Sequence, residues 1–162
     1  MIKVCLADNH PVTHFGVKSY FKDHDEISIV ANVGNFSMVR DILQTKEIDI
    51  LILDLELEGL SSIFEVKSIL KNFPKTKIVI FSDLAEQMYA PNAIKAGVSG
   101  YVHKTEKLET LGLSIIKVHE GKIIINETVR KNMALIAKQS KSERLYRKLS
   151  NREIEVLRYL SD

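Results

Sequence analysis

Five polar side chains each sit at the end of a short apolar run. Asp8 and Asn9 follow Ile2 to Ala7, Asp54 closes the run that begins at Ile48, Ser82 ends Lys77 to Phe81, and Lys104 follows Gly100 to His103. If these runs are neighbouring parallel strands, two carboxylates, an amide oxygen, a hydroxyl and an ammonium meet at one edge of a sheet, in the crevice where open α/β sheets bind ligands. The acidic oxygens of Asp8, Asn9 and Asp54 suit a hard cation such as Mg²⁺, which takes one or two carboxylates and keeps several waters. The cation, Lys104 and Ser82 would together neutralise and hydrogen-bond the oxygens of a phosphoryl group. Asp54 is then the nucleophile, since a carboxylate can form an aspartyl-phosphate. Each residue alone could equally serve a turn or a helix cap; as a set they point to phosphoryl chemistry.

The intervening sequence supplies elements that would position them. Ile48-Asp-Ile-Leu-Ile-Leu-Asp-Leu55 is nearly unbroken in its apolarity, the pattern of a strand buried on both faces. Ile2 to Ala7, Ile27 to Val33, Lys77 to Ser82 and Gly100 to His103 read as four more strands. A helix is expected from Pro11 to about Lys22, with Val12, Phe15, Ser19 and Tyr20 near one face; Pro11 suits a first helical position. Phe36 to Gln44, Ile63 to about Phe73, and Leu108 to the residues before Gly121 follow at helical spacing. Pro91 is expected to be excluded from a helix interior, which leaves Asp83 to Tyr89 irregular and a short helix from Pro91 to Ala96 ended by Gly97. Strands alternating with helices five times call for a parallel sheet covered on both faces. Beyond Gly121 a helix is expected from Glu127 to Lys138, then a basic stretch. Ser150-Asn-Arg-Glu153 has the spacing of a capping box and so marks a new helix start, with Ile154, Leu157 and Leu160 along one side.

Asp8-Asn-His-Pro11, Ile50-Leu-Ile-Leu-Asp-Leu55, Ile80-Phe-Ser82 and Gly100-Tyr-Val-His-Lys104 resemble the receiver domains of two-component response regulators, in order and spacing over residues 2 to 120. Arg147-Lys-Leu-Ser-Asn-Arg-Glu-Ile-Glu-Val-Leu-Arg158 resembles the opening of a LuxR-type helix-turn-helix domain, and together the two point to the NarL/FixJ class. The resemblance implies a flavodoxin-like (βα)5 fold, sheet order 2-1-3-4-5, with a receiver domain over 1–120, a helical linker over 121–147 and the first helix of a truncated DNA-binding domain over 148–162. It implies that Asp54 accepts phosphate from a histidine kinase, that Asp8 and Asn9 hold the acidic-pocket positions, that Ser82 and Tyr101 form the switch pair with Tyr101 turning inward, and that Lys104 contacts the phosphate. Homodimerisation on activation and DNA binding by the missing part are implied likewise.

Three positions depart from that pattern. Asn9 stands where a second aspartate is usual and brings no negative charge; Glu56, just past Asp54, is the side chain placed to replace it beside the family's carbonyl ligand. Glu58 and Ser62 replace a common proline and glycine, so an altered loop is expected after Asp54. Thr105 follows Lys104 where proline is common. These departures keep open an atypical receiver that signals by protein contact without phosphate. A phosphatase reading from Asp54-Leu-Glu56-Leu ranks lower, because the haloacid-dehalogenase-like motif it faintly resembles has a second aspartate and ends the first strand.

The remaining features bound the setting. His10, His14, His24, His103 and His119 lack metal-ligand spacing, so packing or surface roles are expected. The lone Cys5 permits no disulfide within the chain, a carboxylate follows the start too early for a signal peptide, and no run approaches membrane-spanning length, so a cytoplasmic protein without membrane contact is expected. The chain stops near the first helix of the helix-turn-helix domain it resembles, so specific DNA binding by these 162 residues alone is not expected.

Overall fold

The computed structural model describes the backbone of residues 1–160 and the side chains of residues 1–145. Five parallel strands, β1 (Ile2–Ala7), β2 (Ile27–Val33), β3 (Ile50–Leu53), β4 (Lys77–Ser82) and β5 (Gly100–His103), form one sheet in the order β2-β1-β3-β4-β5. That is the expected flavodoxin-like order. The helices between them are α1 (Pro11–Tyr20), α2 (Phe36–Thr45), α3 (Ile63–Asn72), α4 (Glu86–Lys95) and α5 (Leu108–His119). Every residue of β3 is buried, which is why its sequence shows no polar alternation. On one face of the sheet Val4, Leu6, Ile52, Phe81 and Val102 pack with Val17 and Phe21 from the α1 region and Leu111, Ile115 and Val118 from α5. Helices α2, α3 and α4 contribute the buried Val39, Val66, Ile69, Ala90 and Ala93.

The face of α1 that carries Val12, Phe15, Ser19 and Tyr20 is its outer one, and α4 differs from expectation. In α1 the inward residue is Val17, followed by Phe21, while Val12 and Phe15 are 83% and 76% exposed. The long apolar side chains of α1 are thus on its outer face, because the Val17-to-Phe21 step, not the Val12-to-Phe15 step, meets Ile27 and the sheet. Helix α4 begins at Glu86 and contains Pro91. The proline forfeits one backbone hydrogen bond of the helix, but Ala90 and Ala93 on either side of it are fully buried, and that packing carries the helix through.

The chain divides into two compact units, Met1–Asn126 and Glu127–Asp162. The first extends past residue 120 because Ile124 joins the sheet edge: Tyr101 N donates to Ile124 O (2.9 Å) and Ile124 N to Ser99 O (2.9 Å). The second holds one helix, α6 (Glu127–Leu160). The separate helix expected over 148–162 is not separate: Ser150 lies within unbroken helical backbone. No glycine or proline occurs between Gly121 and the end of α6, and its residues are mostly good helix formers, so no local signal is strong enough to stop the helix. Residues 161 and 162 of that expected segment lie outside the described ones.

Two glycines of the first unit should respond oppositely to alanine. Gly97 closes α4 at φ 105° and a Cβ there would meet Leu70 Cδ1 at 3.1 Å; Gly97→Ala should cost about 1–2 kcal/mol. Gly16 lies inside α1 with open space around it, and Gly16→Ala should stabilise by up to about 1 kcal/mol. Urea unfolding of both variants, read from midpoint shifts, checks the pair.

Candidate functional site

The ladder continues one step past the strands and sets the site's backbone. Asp8 N donates to Val33 O, Asp54 N to Ala7 O (3.0 Å) and Lys104 N to Ser82 O (2.9 Å). Asp8, Asp54 and Lys104 therefore emerge side by side at the carboxyl edge. Both carboxylates are 1% exposed, and the Lys104 ammonium bridges them, 2.6 Å from Asp8 Oδ2 and 2.8 Å from Asp54 Oδ2. One cation thus sits between two buried anions, leaving a net negative pocket into which a further positive charge would fit.

The charges of these groups follow from the geometry. Burial pushes the Asp8 carboxyl upward, but the Lys104 ammonium beside it and the hydrogen bonds from His10 outweigh this and hold the group below its ordinary value. Burial likewise disfavours the Lys104 ammonium, and the two carboxylates it faces, Asp54 and Asp8, more than reverse this, raising it. Asp54 Oδ1 also accepts from Glu56 N at 3.0 Å, so both its oxygens are engaged.

Of the residues selected from sequence, Asp8, Asp54 and Lys104 come together. Asn9 and Glu56 are exposed, and it is the backbone of Glu56 that touches Asp54. Glu58 is exposed too, its carbonyl held by Phe36 N at 2.8 Å, and Gly59 takes up the turn at φ 84°. Ser82 is fully buried and its Oγ accepts from Leu84 N at 3.2 Å. Tyr101, at 2% exposed, already points inward and its hydroxyl donates to Leu84 O at 2.7 Å; burial pushes the phenol up to about 12. Ser82 and Tyr101 thus both hold the backbone of Leu84 at the start of the β4–α4 turn.

Sequence reasoning missed participants in two places. His10 faces the centre, with Nδ1 2.8 Å from Asp8 Oδ1, and His14 contacts the Asp8 carbonyl. The available signal was position, since His10 lies two residues beyond Asp8 at the same strand end. Glu86 is the second: its Oε1 accepts from Asn126 N at 2.6 Å, tying the first residue of the α4 turn to the last residue of the first unit. Burial raises its carboxyl above the ordinary value.

A two-carboxylate pocket fits a divalent cation by donor chemistry, and the Lys104 ammonium stands in for one. Among the described residues, the His, Cys, Asp and Glu groups able to converge on an ion are Asp8, His10 and Asp54. Residues 4–116 match the model of the response regulator receiver domain. The Fimbriae Z protein of Escherichia coli is 28% identical over 97% of this chain and 74% of its own length, and the response regulator protein VraR of Staphylococcus epidermidis is 26% identical over 96% and 74%. Among solved structures, a LuxR-family two-component response regulator from Aurantimonas superposes with TM-score 0.74 at 23% identity, covering 83% of this chain and 96% of that one. The isolated receiver domain of RcsB from Salmonella enterica, in its apo form, superposes with TM-score 0.74 at 21% identity, covering 83% and 99%.

Removing Lys104 should leave two buried carboxylates facing each other. Lys104→Met is expected to lose about 3–5 kcal/mol at neutral pH. Asp8's depressed carboxyl contributes stability above its ordinary range that is lost as pH falls through the folded-state value; Lys104's raised ammonium contributes below its ordinary range and fails only in strong alkali. The deficit of the variant should therefore shrink as pH drops below the usual carboxylate range, measured by urea unfolding across the acid limb.

Proposed function

The chain belongs to the response regulator receiver domain family, and from that premise we propose that Asp54 is its phosphoacceptor, taking a phosphoryl group from a sensor histidine kinase. The single observation that carries this is the Lys104 ammonium at 2.8 Å from Asp54 Oδ2 in a buried pocket at the strand ends. A carboxylate oxygen of Asp54 attacks phosphorus, the phosphorus–nitrogen bond of the donor phosphohistidine breaks, and the imidazole nitrogen keeps that electron pair. Asp8 and Asp54 would hold Mg²⁺, whose charge would neutralise the phosphoryl oxygens. Lys104 leaves its bridge to contact the phosphate, and Ser82 Oγ leaves Leu84 N to donate to it.

The switch would then run through Leu84. Tyr101 is already inward, so the moving parts are Ser82 and the turn before α4. Losing the Ser82 contact loosens that turn, and Glu86 passes the change to Asn126, where the output helix begins. Activation is proposed to favour a homodimer, for which Val12 and Phe15 on α1 and Leu113 on α5 offer exposed apolar area. The chain spans about three quarters of the curated relatives it matches. Residues 148–162 are proposed as the start of a LuxR-type helix-turn-helix, so transcriptional control and DNA contact fall to the part of the intact regulator that carries the reading helix. The protein is a signalling switch and not an enzyme with turnover on a separate substrate, acting in the cytoplasm; among the described residues no helix is long and apolar enough to cross a membrane.

Intact-mass spectrometry after acetyl phosphate and Mg²⁺ is the test. One phosphoryl adduct is expected on the wild type and none on Asp54→Asn. A second reading, an atypical receiver that works by contact alone, is favoured by Asn9, which brings no negative charge to the pocket; a folded wild type that never gains the adduct would select it. For the relay, Glu86→Ala is expected to speed amide exchange at Asn126, followed by hydrogen–deuterium exchange, with little effect on β1 or β3.

A further inference from the structure

The pocket has a third donor that its sequence pattern did not announce. Asn9 is exposed at the rim, whereas the imidazole of the next residue turns into the centre. His10 Nδ1 lies 2.8 Å from Asp8 Oδ1 and 3.6 Å from Asp54 Oδ2. Ligands bonded to one ion at about 2.1 Å lie roughly 3.0 Å apart at a right angle and roughly 3.4 Å apart at a tetrahedral one. The 3.6 Å separation lies near the tetrahedral value, and the 2.8 Å one is a hydrogen-bond distance just short of the right-angle value.

Two further observations mark the same spot as a cation site. Asp8 Oδ2 is buried and has no well-aligned hydrogen bond; the Lys104 ammonium at 2.6 Å meets it as a charge. That ammonium also lies 2.8 Å from Asp54 Oδ2 and 3.4 Å from His10 Nδ1. It therefore occupies the position from which all three donors can be reached. A divalent ion entering here would displace Lys104 and free it for other contacts.

We infer that His10 Nδ1 is a metal ligand, and that the pocket takes its ion with one imidazole nitrogen and two carboxylates, favouring a first-row d-block divalent cation such as Mn²⁺, Co²⁺ or Ni²⁺ over Mg²⁺. Imidazole suits borderline transition ions, whereas Mg²⁺ prefers all-oxygen shells with several waters. Replacing an acid at position 9 by a neutral amide lowers the pocket's charge, which penalises the ion bound mainly by electrostatics. A nitrogen donor at position 10 compensates for d-block ions, which gain from it, and not for Mg²⁺. The ring would coordinate through Nδ1 and, half exposed, leaves Nε2 to water.

The inference deepens the receiver reading and rests on it for the ion's role, but ion binding is measured without phosphoryl transfer. The full chain is loaded with Mn²⁺ and its electron spin-echo modulation recorded, with ¹⁵N-histidine labelling to identify the nitrogen. A histidine nitrogen coupling is expected in the wild type and lost in His10→Ala. Calorimetric titration should show Mn²⁺ affinity falling at least about tenfold in His10→Ala, since even outer-sphere partners of a metal ligand are worth that much, while Mg²⁺ affinity moves by much less. Absence of nitrogen coupling in the wild type, no measurable Mn²⁺ binding, or a coupling that survives His10→Ala overturns the inference. The wild-type spectrum decides even if a variant misfolds, and His10→Gln supplies a second variant. A protein that shows the coupling yet never gains a phosphoryl adduct retains the metal site and loses the receiver reading; the opposite result separates the two in the other direction.

Discussion

A single ammonium held between two buried carboxylates is the constraint around which this molecule is arranged. Opposite charges about 4 Å apart near a protein surface attract by roughly 4 kcal/mol, and taking all three groups out of water opposes that gain. The arrangement persists because nothing in it is floppy. Asp8, Asp54 and Lys104 are each held by a backbone hydrogen bond to a neighbouring strand, and the side chains have little to do but meet. The same rigidity makes the pocket useful, since the excess of one negative charge is stored at a fixed address and is available to a cation or to a group whose charge a cation can offset.

The sheet explains why that address is so well defined. Its strands are short, and β3 is buried on every residue, so register is set by apolar packing on both faces. Ala7 is paired with Leu53, Leu53 with Ile80 and Ile80 with Tyr101. A slip of one residue anywhere would turn a buried isoleucine or leucine into the wrong layer and carry an aspartate away from the edge. The core thus sets the charges' geometry, and the chemistry depends on packing that never touches it.

Away from the charges, the β4–α4 turn connects the pocket to the end of the first unit. Leu84 is gripped by Ser82 through its nitrogen and by Tyr101 through its oxygen, and two residues later Glu86 accepts from Asn126. Pro91 within α4 leaves that helix short of a backbone bond, so the element between pocket and output is held by the burial of two alanines more than by its own hydrogen bonds. An element of that kind is easily shifted, which suits a relay.

Much of this was legible in the chain. Four apolar runs ended in the five polar residues, and strand order aside, the alternation of elements and the meeting of Asp8, Asp54 and Lys104 followed from local pattern and the geometry of parallel sheets. What escaped was whatever depends on side-chain direction or on competition between weak local signals. The spacing Asp8-x-His10 does not say that the imidazole turns inward while Asn9 turns out; that is settled by how α1 starts at Pro11 and by the contact of the ring with the buried Asp8 carboxylate. Ser150 and Glu153 form a capping pattern, yet a capping pattern stops nothing where the residues before it are equally content as helix. Pro91 looked like a boundary because its cost is local, and it proved tolerable because Ala90 and Ala93 are buried against the sheet. The sequence by itself determined the strands, their order of chemistry and the buried pair of acids, since those rest on apolar periodicity; the tertiary structure alone decided which third donor faces that pair, because that depends on the direction of the His10 ring at the start of α1 and on Asp54, far away in the chain, lying beside it.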